Sequence, residues 1–102
     1  MMEIEFAVPQ GYSLSGAASL IEKACIGCGL RISTRATLSS YPGCIHWHVK
    51  RGIQSGTLEL TLWETKRRIW ASVQDERRAP WIDEALPQMK DAIETALRIA
   101  VS

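Results

Sequence analysis

Polar and apolar residues alternate from the first positions of the chain. Ile4, Phe6 and Val8 fall on one side of an extended segment, and Glu3, Glu5 and Ala7 on the other. That period of two belongs to a half-buried strand, and Pro9 and Gly11 end it. From Ser13 the period lengthens. Leu14, Ala17, Ala18, Ile21, Ala24 and Cys25 recur at helical spacing, which predicts a helix over 14–27 with Ser13 as its N-cap and Gly29 as its stop.

Four strand-like segments follow: LRISTRATL, CIHWHVKR, TLELTLWE and RRIWASVQ. The separators SSYPG, GIQSG and TK are short, and short separators join antiparallel neighbours. The chain closes on APWIDEALPQMKDAIETALRIAV. There Ile82, Leu86, Met89, Ile93, Leu97 and Ala100 make an apolar stripe. Pro80 suits a first helical turn, and Pro87 is expected to kink this helix or split it. The order is β-α-β-β-β-β-α. Two amphipathic helices and one sheet predict a two-layer α+β sandwich, with a five-stranded, mostly antiparallel sheet and both helices on one face. This element order resembles one half of the TATA-box-binding-protein saddle, a likeness of fold that carries no function with it.

Requiring apolar residues to share a face fixes a trial register, because a slip of one residue reverses every side chain. The first hairpin then pairs Leu38 with Ile45, Ala36 with Trp47 and Thr34 with Val49. The second pairs Ile45 with Leu62, Trp47 with Leu60 and Val49 with Leu58. The third pairs Leu62 with Ile69, Leu60 with Ala71 and Leu58 with Val73. These residues face the helices. The other face is expected to be open, carrying Ser33, Arg35, Thr37, Cys44, His46, His48, Lys50, Thr57, Glu59, Thr61, Trp63, Arg68, Trp70, Ser72 and Gln74. Glu3 and Glu5 join it if the first strand pairs at an edge.

Composition sets outer bounds. The 102 residues fit one domain, and 46% hydrophobic with 23% charged is ordinary for a globular chain. A net charge of +1 gives no overall footprint for nucleic acid. The N-terminal MMEIEFAVPQGYS reads as neither a signal peptide nor a membrane span. Three cysteines without such a signal point to reduced thiols and a cytoplasmic location, and no membrane association is expected.

The candidate chemistry concentrates on the second face. Cys25 and Cys28 followed by Cys44, His46 and His48 have a spacing superficially suited to zinc. The sheet, however, separates Cys25 on the helix side from the other group, leaving Cys44, His46 and His48 as weak metal candidates. A C-x-x-C at a helix end lacks the dipole that activates such thiols at a helix start. His48 between Arg35 and Glu59 gives a candidate acid–base pair, His48 with Glu59. Trp63 and Trp70 beside arginines suit a contact surface or a stacking platform for single-stranded nucleic acid, with Glu3, Glu5 and Glu59 opposing the latter. The reading is a non-catalytic interaction or accessory domain, a homodimer or a partner binder. Its binding residues are Trp63, Trp70, His46, His48, Arg35, Glu59 and Arg68, and no cofactor is implied. The alternatives are a small ligand or nucleic acid on the same face, or a minor enzyme built on His48 and Glu59.

Overall fold

A computed structural model describes residues 1–101. Strand β1 (Met2–Glu5) leads to helix α1 (Ala17–Gly27), then β2 (Arg31–Ala36), β3 (Ile45–Lys50), β4 (Leu58–Trp63) and β5 (Arg68–Val73), and helix α2 (Pro80–Val101) closes the chain. Short 3-10 turns at Glu64–Lys66 and Asp75–Arg77 flank β5. The five strands form one antiparallel sheet in the order β1-β5-β4-β3-β2. The fold is the expected two-layer α+β arrangement.

The core lies between the helices and one sheet face. Trp47, Val49, Leu58, Leu60, Ile69, Ala71 and Val73 pack there against Ile21 and Cys25 of α1 and against Ile82, Met89, Ile93 and Leu97 of α2. Each fully buried Leu, Ile or Met among them contributes about 1.5–3 kcal/mol of hydrophobic transfer. Trp47 is completely buried, and its indole still satisfies its polar atom: Nε1 donates to Glu22 Oε2 on α1 at 2.8 Å.

The two central registers follow the expected pairing, with Trp47 opposite Leu60 and Leu60 opposite Ala71. The first hairpin does not. Ile32 pairs with Val49, but Thr34 already pairs with His48, so Ser33 is an extra residue in β2. Such a bulge reverses the alternation beyond it. Arg35 therefore lies opposite Trp47 on the helix side, and Ala36 opposite His46 on the second face. The expected row Ala36, Trp47, Leu60, Ala71 is corrected to Arg35, Trp47, Leu60, Ala71. Glu22 makes this tolerable, since Arg35 Nη1 donates to Glu22 Oε2 at 2.7 Å beside the Trp47 bond.

Helix α1 begins at Ala17 and not at Leu14, because Gly16 sits at φ 85 and breaks the helical path. Ser13 caps a turn and not the helix: its Oγ accepts from Ser15 N–H at 3.3 Å. Gly29 does stop α1, at φ 78, and Leu30 N–H closes back onto the Cys25 carbonyl at 3.0 Å. Pro87 does not split α2, which runs unbroken through it. The bond it cannot make is to Asp83, and both residues lie on the exposed side.

Candidate functional site

Strands β3 and β4 carry two histidines and a glutamate onto the sheet face away from the helices. Alternation alone puts them there, with His46 opposite Thr61 and His48 opposite Glu59. The expectation that this face is open is corrected by their burial. Thr61 is 1% exposed, Trp70 3%, and His46 and Glu59 6% each. Flanking segments supply part of the cover: Tyr41 packs against Trp70, and Gln74 and Arg77 reach Glu59.

Glu59 is the hub. Its Oε1 lies 3.0 Å from His46 Nε2 and 3.8 Å from His48 Nε2. Its Oε2 accepts from Gln74 Nε2 at 3.0 Å and faces Arg77 Nη1 at 3.8 Å. The far side of His46 is also satisfied, with Nδ1 2.9 Å from Thr61 Oγ1. The two imidazoles meet edge-on, with centroids 5.3 Å apart. A buried carboxylate is costly unless its oxygens are hydrogen-bonded, and here both are. His48 is half-buried and gives the centre its outlet to solvent. Burial pushes the His48 pKa below its ordinary value, while Glu59 pulls it the other way.

The aromatic residues form a separate corner. Tyr41, from the β2–β3 connection, packs edge-on against both Trp63 and Trp70 at 5.1 Å. Trp63 Nε1 donates to the Pro42 carbonyl at 3.0 Å. The Arg68 guanidinium lies 4.4 Å over the Trp70 ring and pairs with Glu5 of β1. Glu3 and Glu5 join this face, opposite Ser72 and Trp70.

The sequence-derived site thus divides. His46, His48 and Glu59 come together. Trp63, Trp70 and Arg68 form the neighbouring corner, in which Trp70 is already covered. Arg35 leaves the face altogether, so the cluster of His48 between Arg35 and Glu59 is replaced by Glu59 with two histidines. Cys44 is buried beside Tyr41, its N–H bonded to the Tyr41 carbonyl at 3.0 Å, and among the described residues the metal-capable group is His46, His48 and Glu59 without it. Cys25 is fully buried in the helix-side core. Burial, with Cys28 and Glu22 adding, pushes the Cys25 thiol up to about 12, and burial also raises Cys28. Neither thiol is activated for redox chemistry.

Sequence reasoning did not single out Thr61, Gln74, Arg77 or Tyr41 as site residues. The alternation already put Thr61 and Gln74 on the right face. Arg77 and Tyr41 reach it from a 3-10 turn and a loop, where periodicity gives no signal. No helix among the described residues is long and apolar enough to cross a membrane. No family model, no curated protein and no solved structure matches the chain.

Proposed function

We propose that the protein is a non-catalytic binding domain and that its ligand site is the His46–Glu59–His48 centre on the second sheet face. One observation carries this reading: a carboxylate 6% exposed, shared between two imidazoles, in a sheet whose other face already supplies an apolar core. Buried polar clusters of this kind add little to stability compared with apolar side chains of the same volume. A cluster with an outlet past His48 is therefore better accounted for as a binding centre than as a structural one. The ligand is small and polar, and it exchanges contacts with groups that the free protein satisfies internally.

The test replaces the whole centre by apolar residues, His46→Leu with His48→Val and Glu59→Leu. A binding role predicts that this variant folds and unfolds at the wild-type temperature or above it. A structural role predicts a large loss of stability, and that result would remove the proposal.

A second reading, self-association through the aromatic corner, is favoured by Trp63 and Tyr41. Both stay partly exposed beside Arg68 at one end of the face. Paired aromatic and arginine side chains are common anchors of protein contacts. Light scattering decides it: a dimer that Trp63→Ala converts to a folded monomer supports this reading, and a monomeric wild type excludes it.

A further inference from the structure

We propose that the His46–Glu59–His48 centre binds one divalent transition-metal ion of the zinc type, through His46 Nε2, His48 Nε2 and a Glu59 carboxylate oxygen. This rests on the reading of the centre as a ligand site and names its ligand. The donor set is two imidazole nitrogens and one carboxylate oxygen, which suits zinc, cobalt, nickel or copper and not calcium or magnesium.

The geometry supplies the first argument. A tetrahedral ion with ligands at about 2.0–2.1 Å has them about 3.3 Å from one another. Glu59 Oε1 stands 3.0 Å from His46 Nε2 and 3.8 Å from His48 Nε2. One ligand atom from each residue lies within 4.8 Å of the other two. The two Glu59 edges are within about 0.5 Å of that spacing, and the His46–His48 edge has to shorten by at most about 1.5 Å, which rotation of the half-exposed His48 ring supplies. The fourth position would face the solvent side of His48 and take water.

The groups behind the donors supply the second argument. Metal-bound histidines and carboxylates are usually oriented by a hydrogen bond on their other polar atom. Thr61 Oγ1 stands 2.9 Å from His46 Nδ1, and Thr61 is itself 1% exposed. Gln74 Nε2 holds Glu59 Oε2 at 3.0 Å and leaves Oε1 for the ion. Arg77 faces the same Oε2 and is partly exposed, so it stays outside the donor triangle and can swing toward solvent.

Proton positions give the proposal a signature. A carboxylate can only accept, so in the metal-free protein His46 Nε2 carries the hydrogen donated to Glu59. Binding an ion at Nε2 requires that hydrogen to leave. Neutral His46 carries a single ring N–H, so the hydrogen given up at Nε2 is regained from solvent at Nδ1 and donated to Thr61 Oγ1, with no net proton released. Thr61 reverses from donor to acceptor by rotating its hydroxyl, with no heavy atom moving. Ion binding therefore switches the His46 tautomer.

The experiment uses tag-free protein stripped with a chelator, titrated with zinc chloride at pH 7.5 by calorimetry. Imidazole nitrogen NMR is followed on the same samples. The expected result is one ion per chain, no comparable binding of magnesium, and transfer of the His46 hydrogen from Nε2 to Nδ1 on saturation. His48→Ala removes a donor at a half-exposed position and is expected to weaken binding by at least 100-fold. Thr61→Val leaves the donors in place and is expected to weaken it about 10-fold or more. Absence of one-to-one binding, or binding without the tautomer switch, would overturn the proposal even if His48→Ala did not fold. The apolar triple variant separates the two levels. If zinc fails to bind while that variant remains stable, the metal assignment falls alone; if the variant unfolds, the ligand site falls with it.

Discussion

Glu94 shows how one side chain ties distant parts of this chain together. Its Oε2 accepts from Ala7 N–H at 2.7 Å, just beyond β1, and from Lys90 Nζ at 2.7 Å on α2. Partial burial alone would raise its pKa, but these two bonds outweigh that and hold it below the ordinary 4.5. A carboxylate with a lowered folded-state value stabilises the fold fully above its unfolded value. That contribution is lost as pH falls through the folded value. Glu94→Gln is thus expected to cost about 1.5–3 kcal/mol at neutral pH, typical of a charged hydrogen bond. It should also flatten the acid side of the stability profile, a change read from urea unfolding between pH 3 and pH 7. The periodic pattern placed Ala7 on the polar side of β1, but it contained nothing to say which carboxylate would meet its N–H.

At the scale of elements, the legible parts were those governed by a regular period. β3, β4 and β5 alternate cleanly, and their pairing could be read residue by residue. β2 could not, because the bulge at Ser33 has no glycine to mark it and only the partner strand reveals the slip. The consequence reaches the site: Arg35 moves to the helix side and leaves the histidines to Glu59. The β3–β4 connection is the other non-periodic element that bears on the centre. Gly56 has φ +100, and a Cβ there would stand 2.6 Å from Ala79 Cβ and 3.1 Å from the Arg77 carbonyl. That close approach lets Thr57 N–H bond the Arg77 carbonyl at 3.0 Å and seats the turn from which Arg77 faces Glu59. Gly56→Ala combines a left-handed backbone with a clash, and is expected to cost about 2–4 kcal/mol. Thermal unfolding would show this as a drop in midpoint of about 10 °C or more. An unchanged midpoint would mean that the connection and α2 can separate freely.

The whole molecule divides its work between the two faces of one sheet. The helix side carries the continuous apolar core, and its composition was readable because burial there demands hydrophobic residues at fixed intervals. The second face carries a hydrogen-bonded polar centre and an aromatic corner. Its residues were readable by alternation, but its closure was not, since loops and 3-10 turns provide part of the cover. If the two faces differ in purpose, matched substitutions on them must differ in cost. The most direct measurement is the unfolding free energy, from urea denaturation at pH 7, of two variants against wild type. Leu60→Ala removes a fully buried core side chain and is expected to cost about 2–5 kcal/mol. The apolar triple at His46, His48 and Glu59 is expected to cost nothing or to stabilise by up to about 4 kcal/mol. A loss for the triple as large as that for Leu60→Ala would make the centre part of the scaffold and contradict its assignment as the binding site.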